Sequence, residues 1–316
     1  MAGVSASAYA PAVVGNVASG FDLVGHCVDG MGDVVTATRV ASNHPRPRAR
    51  IQSVTGRVTD LPTAPEANTA SRAAIALLEA AGADFDVELT LNKGIPLSSG
   101  LGGSAASATA AVVATNALLD APRSTTDLYP FAVVGETVAT GQPVGDNVGP
   151  QLMGGLVLAT EQRLIQLPTP SGLTALVIHP SLLIETSQAR ACLAAPFGLD
   201  DITRQQASLA QLIIGLYTDD ASAIASGLVD HLVEPRRRHL IPGFEAFKTA
   251  AKAHGALGAS ISGAGPSVFA WFASLAQAKH AQLALSQPFH EAGLTTEALL
   301  TPVNAAGARL VETPAQ

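Results

Sequence analysis

Residues 95–116, IPLSSGLGGSAASATAAVVATN, hold the densest set of groups in the chain that could do chemistry. Gly100, Gly102 and Gly103 stand among Ser98, Ser99 and Ser104, directly ahead of a run of small residues suited to a helix. A helix N-terminus offers unpaired N–H groups and a partial positive charge, so it attracts phosphate. Glycines let backbone amides approach phosphate oxygens without a Cβ in the way, and the serine hydroxyls add donors or a Mg²⁺ ligand. Two other signatures compete for the same residues. GLGGSA fits the G-x-G-x-x-[GA] dinucleotide fingerprint, with Asp120 twenty residues beyond Gly100. That fold places its first Gly at a strand end and its acidic residue at the end of a second strand. Here residues 94–99 intervene after Lys93, and the segment up to Asp120 reads as one helix. No G-x-x-x-x-G-K-[ST] occurs, so a Walker loop is absent. A glycine turn that merely opens an Ala-rich helix is the plain alternative.

A phosphate loop of this kind needs a strand before it and a helix after it. Residues 85–91, F-D-V-E-L-T-L, alternate as a half-buried strand, and 104–119 form the helix, stopped by Asp120-Ala121-Pro122. Earlier, residues 9–14, 23–28 and 34–40 read as strands, 42–50 (SNHPRPRAR) as a polar loop, and 68–81 as a helix stopped by Gly82. Residues 128–140 are helical in pattern, 141–155 carry too many Gly, Pro and Asn to be regular, and 155–160 form a strand. Beyond them, strands are expected at 173–179, 257–261, 268–272 and 294–303, and helices at 204–217, 221–229, 243–253 and 274–286. The second half thus has an α+β order.

Composition narrows the class. With 316 residues and 47% hydrophobic content the chain can fill two cores, and the expected division is 1–165 and 166–316. A net charge of −7 argues against nucleic acid as a partner, although a local basic pocket can still take an anionic substrate. Cys27 and Cys192 fit no metal-ligand spacing and suit a reducing compartment. No apolar run approaches the ~18 residues of a membrane span, and MAGVSASAYAPAVV lacks the basic start of a signal peptide. A cytoplasmic location and no membrane partner follow as expectations.

Two further segments change the weight of the glycine loop: APAVVGNVASGFDLVGHCV (10–28) and GASISGAGPSVFAW (258–271). With PLSSGLGGSAAS they resemble, in order and spacing, the motifs of the galactokinase, homoserine kinase, mevalonate kinase and phosphomevalonate kinase (GHMP kinase) superfamily. Within it the chain resembles homoserine kinases. Pro11, Asn16, Gly20, Phe21, Asp22 and Gly25 fill P-A-x-x-x-N-x-x-x-G-F-D-x-x-G, and Gly32-Asp33-Val34-Val35 resembles the following strand. GQPVGDNVGPQLMGG (141–155), Thr186…Arg190, and Glu234-Pro235-Arg236-Arg237 followed by Leu240-Ile241-Pro242-Gly243-Phe244 resemble later segments of that family.

The resemblance implies an α/β (α+β) two-domain fold, ribosomal-protein-S5-like at the N-terminus and ferredoxin-like at the C-terminus, with nucleotide between the domains. It implies ATP and Mg²⁺ as cofactors, L-homoserine as the small-molecule substrate, O-phospho-L-homoserine as product, and a homodimer. Pro96, Leu97, Ser98, Ser99, Gly100, Leu101, Gly102, Gly103, Ser104, Ala105 and Ala106 would hold the triphosphate, with Asn68 near the base. A helix N-cap is an equally good reading of Asn68. Ser104 and Glu136 are implied as Mg²⁺ ligands; taken alone, Glu136 would be a solvated surface charge. Asp22 suits the substrate ammonium, Arg190 and Arg237 its carboxylate, and Asn16, Asn147, Thr186 and Gly263 the rest of the zwitterion or the hydroxyl. Asp146 and Asn147 lie in the catalytic loop. Relatives such as mevalonate kinase are proposed to use an Asp there as general base. Homoserine kinases are thought to pass the hydroxyl proton toward phosphate instead, and the second reading is favoured. Two residues depart from the pattern: Gly103 replaces a Ser, and Val144 stands where homoserine kinases usually carry a substrate-contacting His. A sister kinase acting on another small alcohol and a non-catalytic nucleotide- or metabolite-binding relative are the rival readings.

Overall fold

The computed structural model describes residues 4–312. Strands β1 (Ser5–Val14) and β2 (Val24–Ala41) pair antiparallel along nearly their whole length, with a register shift between Pro11 and Ala12. The separate strands expected at 23–28 and 34–40 are one strand, because Gly30 takes φ 85 and lets the chain continue through the irregularity. After β3 (Ala49–Gly56), helix α1 (Thr69–Ala81) starts under an Asn68 cap and stops where Gly82 turns left-handed. Strand β4 (Phe85–Lys93) then leads into helix α2 (Gly103–Asn116). Ten of the residues of α2 are buried, which the run of Ala, Ser and Thr permits: small side chains let the helix pack on β1, β2 and α1 at once. Helix α3 (Tyr129–Thr140) follows. A short helix, α4 (Val148–Met153), occupies part of the loop expected to be irregular. Strands β5 (Leu156–Ala159) and β6 (Leu164–Leu167) extend the sheet from β2.

The next portion carries β7 (Thr174–Pro180), a helical stretch of α5 (Thr186–Ala191), α6 (Leu199–Thr218), α7 (Ala221–Gly227), α8 (Glu234–Arg237) and α9 (Phe244–Ala253), then β8 (Gly258–Ile261), β9 (Val268–Phe272), α10 (Leu275–Glu291) and β10 (Thr296–Pro302). Its sheet runs β10-β7-β9-β8 with every pair antiparallel, the order of a split βαβ ferredoxin-like layer. The last strand, β11 (Arg309–Val311), crosses back to pair with β1, so the first sheet reads β11-β1-β2-β4-β3 with β5 and β6 off β2. A division at residue 165 falls inside β6, and β11 lies across it. The fold is the mixed α/β, two-domain architecture expected, with one sheet in each part; β3, β6, β11, α4, α5 and α8 are not among the expected elements.

One buried contact fastens the layers together. The indole N–H of Trp271 on β9 donates to His26 Nε2 on β2 at 3.2 Å, and His26 Nδ1 lies 2.9 Å from the Cys27 carbonyl. The ring is therefore the neutral tautomer with its proton on Nδ1, and burial pushes its pKa down to about 4. Among the described residues no helix is long and apolar enough to cross a membrane.

Candidate active site

The site is built where three loops cross. At the end of β1 the Val13 amide donates to the Leu101 carbonyl at 3.1 Å, and in the loop that follows the Gly15 carbonyl accepts from Gly263 at 2.9 Å. Ser267 donates its amide to Ser99 at 3.1 Å, and the Ser262 hydroxyl donates to the Gly100 carbonyl at 2.8 Å. Gly100, at φ 76, leaves no room for a side chain: a Cβ would run into the Ser262 carbonyl oxygen and lie 2.8 Å from that of Gly265. The sequence motifs thus converge because backbone packs directly on backbone.

A cavity of about 380 Å³ opens at this crossing. At one part of it α2 begins. Gly102 takes φ 67 as the N-cap, and the first intrahelical bond runs from Ala106 to the Gly102 carbonyl at 2.9 Å. The amides of Gly103, Ser104 and Ala105 precede that bond and have no intrahelical acceptor, so they are free to face an anion. The Ser104 hydroxyl donates to Glu136 Oε1 at 2.9 Å. Glu136 is buried on α3 rather than solvated, its Oε2 has no partner, and burial pushes its carboxyl up to about 8. The Ser104 bond and the charge of Lys93 pull the other way.

A second cluster gathers opposite charges. Asn16 donates from Nδ2 to the Gly263 carbonyl at 3.0 Å, and its Oδ1 accepts from the Asp22 amide at 2.8 Å. Arg237 donates through Nε to the Ala189 carbonyl at 3.0 Å and through Nη1 to Gly263 at 3.3 Å. Arg190 also lines the cavity, with its buried Nε unpartnered. Burial raises the Asp22 pKa, against the fields of Arg190 and Arg237, and the same burial lowers that of Arg237. Two guanidinium groups and one carboxylate around a cavity fit a zwitterion.

Asp146 and Asn147 join the two clusters. Asp146 accepts the Asn16 amide on Oδ2 at 3.1 Å. Burial, with Asp22 adding to it, pushes its carboxyl up to about 7. Asn147 Oδ1 is buried and unpartnered, and a Cβ on Gly15 would come within 2.5 Å of it and one on Gly102 within 3.3 Å. It therefore sits between the phosphate loop and the charged cluster. Of the six buried side-chain atoms without a partner among the described residues, four belong to cavity-lining residues: Ser99 Oγ, Glu136 Oε2, Asn147 Oδ1 and Arg190 Nε. Each unpaired buried polar atom costs about 1–3 kcal/mol, a cost that a bound ligand removes.

Most of the expected residues meet here: Asn16, Asp22, Asn68, Pro96 to Gly100, Gly102, Gly103, Ser104, Glu136, Asp146, Asn147, Arg190, Arg237 and Gly263 all line the cavity. Leu101, Ala105 and Ala106 do not; their side chains are fully buried in the core, and the Ala106 amide is spent inside the helix. Asn68 lines the cavity but acts as the cap of α1: its Oδ1 accepts from Ala70 and Ser71, and its Nδ2 donates to Pro62 at 2.8 Å. Thr186 begins a helix, and its side chain lies outside the described residues. A Cβ on Gly103 would approach Ile95 Cγ2 at 3.2 Å, a tight contact that a small shift of Ile95 would relieve. Val144 also lines the cavity.

Sequence reasoning missed a buried network under the loop. Lys93 pairs with Asp33, and also donates to the Gly103 carbonyl at 2.7 Å and to Ser107 Oγ at 2.8 Å. The signal was present in the period of β4: Lys93 falls in phase with the inward-facing Phe85, Val87, Leu89 and Leu91. Asp33 likewise shares the inward phase of Met31, Val35 and Ala37 on β2.

The donor set suits Mg²⁺. Among the described residues no group of three or more His, Cys, Asp or Glu is placed to hold a metal ion, but Mg²⁺ bound with a nucleotide takes only one or two protein oxygens and completes its shell with phosphates and water. Glu136 Oε2, unpaired and beside the Ser104 hydroxyl, provides such an oxygen.

Comparison with known proteins gives concordant findings. The family model described as GHMP kinases N terminal domain matches residues 68–155, and that described as GHMP kinases C terminal matches 212–291. The homoserine kinase of Xanthomonas campestris pv. campestris (strain B100) is 49% identical over 306 residues, covering 97% of this chain and 94% of the relative. That of Xylella fastidiosa (strain M12) is 47% identical with the same coverage. The crystal structure of homoserine kinase from Cytophaga hutchinsonii superposes with a TM-score of 0.91 at 39% identity, covering 97% of each chain. Mevalonate kinase of L. major, in complex with R-mevalonate, shares the fold at a TM-score of 0.62 and 16% identity, over 96% of this chain and 97% of the kinase.

Proposed function

We propose that the chain, which belongs to the GHMP kinase family, acts as a homoserine kinase: ATP and L-homoserine give ADP and O-phospho-L-homoserine, a step toward threonine. The activity is phosphoryl transfer to an alcohol, and relatives 49% and 47% identical over 97% of the chain carry that name, as does the solved structure at 39% identity. The observation that carries the site assignment is the position of Asn147 between the start of α2 and the Asp22–Arg190–Arg237 cluster, so that a hydroxyl held by one meets a phosphate held by the other.

Phosphoryl transfer depends mainly on positioning and on stabilising charge. In this reading the free amides of Gly103, Ser104 and Ala105 hold phosphate oxygens, and the glycines at 100 and 102 let them approach. Ser104 and Glu136 hold Mg²⁺, which when bound neutralises the charge of the phosphates. Arg190 and Arg237 grip the substrate carboxylate, and Asp22 takes its ammonium. Asn147 orients the side-chain hydroxyl. The hydroxyl proton passes toward a phosphate oxygen, while Asp146 fixes Asn16 through its amide. A second reading keeps Asp146 as base, and its pKa of about 7 supports it. A further one moves the substrate: Val144 lines the cavity with an apolar surface where a histidine would offer a hydrogen bond. A cytoplasmic location and a homodimer belong to the same proposal; light scattering on the purified protein reads the second.

The test is ADP release with ATP and Mg²⁺ against L-homoserine, mevalonate, galactose, L-serine and L-threonine. Turnover with homoserine alone supports the assignment. Turnover with another alcohol keeps the chemistry and transfers the question to Val144.

A further inference from the structure

We propose that Asp33 is a positioning residue that clamps both ends of the phosphate loop from beneath, an inference that rests on the ATP-binding reading of the cavity. One oxygen of its carboxylate, Oδ1, accepts the amides of Gly94 at 3.0 Å and Ile95 at 3.2 Å, where the loop leaves β4. The other, Oδ2, accepts the Ser107 hydroxyl at 2.9 Å and pairs with Lys93. Lys93 in turn holds the Gly103 carbonyl at 2.7 Å, at the first residue of α2. One carboxylate therefore fixes the departure of the loop directly and its arrival through the lysine. Asp33 is 1% exposed, and the ammonium has its three donors engaged by Asp33, Gly103 and Ser107.

The arrangement bears on binding because the loop cannot hold itself. Ser98 takes φ 50, a left-handed conformation that a non-glycine residue keeps only where the surroundings hold it, and Gly100 at φ 76 and Gly102 at φ 67 supply no rigidity of their own. The amides that face phosphate belong to residues 103–105, on either side of the Gly103 carbonyl that Lys93 holds. A shift of about 1 Å there weakens contacts to phosphate without touching the zwitterion cluster.

The opposing account makes Asp33 a simple counter-ion that withholds Lys93 from the phosphates. The two accounts predict opposite signs for Asp33→Asn. A freed lysine would lower KM for ATP. A lost clamp raises it, by about tenfold, and leaves KM for L-homoserine within about twofold. A buried lysine left unpaired also destabilises the fold, so the variant Asp33→Asn with Lys93→Met is measured beside it. Removing both charges restores much of the thermal stability, and the clamp predicts that KM for ATP nevertheless stays about tenfold high. If Asp33→Asn does not fold, the double variant carries the test. The proposal is overturned if Asp33→Asn leaves KM for ATP unchanged or lower, if the double variant recovers wild-type KM together with its melting temperature, or if KM for homoserine rises as much as that for ATP. Equilibrium dialysis of Mg²⁺·ATP against each protein reads the same clamp without turnover. Absence of homoserine-dependent ADP release in the wild type would sink the reaction assignment alone.

Discussion

Replacing Glu136 by glutamine separates two consequences of its burial. Burial pushes the carboxyl from 4.5 to about 8, so the folded protein keeps a proton there that the unfolded chain gives up. The sign follows from linkage: this contribution to stability is fully present below pH 4.5 and is lost as pH rises through about 8. At ~1.4 kcal/mol per pKa unit, the rise corresponds to roughly 5 kcal/mol at its upper limit. Water entry and relaxation reduce that to a few kcal/mol. Glutamine has the same shape and no proton to lose. Thermal unfolding without nucleotide, from pH 5 to 8.5, should show the variant gaining on the wild type by several degrees as pH rises, at about 2–4 °C per kcal/mol. Its kcat should fall at least about a hundredfold, because a neutral amide is a poor Mg²⁺ ligand. Calorimetry of Mg²⁺·ATP binding near pH 7, in buffers of different ionisation enthalpy, should show proton release from the wild type and much less from the variant. A melting difference that does not grow with pH would refute the burial argument. Retained turnover would refute the metal assignment.

Arg190→Met should raise KM for L-homoserine by about a hundredfold and leave KM for ATP within about twofold, read from initial rates, because its unpaired buried Nε faces the cavity. Gly100→Ala should destabilise the fold by about 2–4 kcal/mol in denaturant unfolding and weaken ATP binding, since φ is 76 and the new Cβ meets the Ser262 carbonyl. Asp146→Asn should lower kcat about tenfold and keep the shape of the pH–rate profile; a loss of 10²–10⁴ with disappearance of an acid limb near pH 7 would identify Asp146 as the base. His26 should stay neutral in an NMR titration until pH approaches 4. Its contribution, fully present above pH 6.5 and lost as pH falls through about 4, should amount to roughly 3 kcal/mol.

What could be read from the sequence depended on whether the determining interactions were local. The helix at 68–81 carried its own start and stop, Asn68 and Gly82, and the structure bounds it at Thr69–Ala81. The strand Val268–Phe272 was legible as an unbroken apolar run. By contrast β11 is three residues long and exists through pairing with β1, which no local pattern announces. β3 lies at an edge, its alternation interrupted by polar residues that face water, and α4 forms inside a loop rich in glycine where Gly149 lies close against Val157 and Ala159 of β5 and Leu164 of β6. The site was legible in its three motifs, and Glu136 only through resemblance, since nothing in its helix shows that a carboxylate there is buried. Lys93 and Asp33 were legible in principle, from the inward phase of their strands; a charged residue in an apolar phase is the exception that marks a buried pair.

The backbone strain has the same distribution as the proposed chemistry. Among the described residues five non-glycine positions take positive φ, and four of them, Asn16, Ala18, Asp22 and Ser98, lie in the loop after β1 or in the phosphate loop. Such positions each cost about 1–3 kcal/mol unless the surroundings hold them. Here the holding groups are identifiable: Asn16 ties Asp22 to Gly263, Ser262 and Ser267 tie the phosphate loop to the C-terminal layer, and Asp33 secures it from below. The strained loops therefore depend on contacts contributed by distant parts of the chain. A nucleotide binding to the phosphate loop and an amino acid binding to the charged cluster act on the same set of cross-links. Because Ser262 holds the Gly100 carbonyl while the adjacent Gly263 accepts from Asn16 and Arg237, each ligand should stiffen the loop that the other uses, tightening the second ligand by no more than about twofold without any large movement.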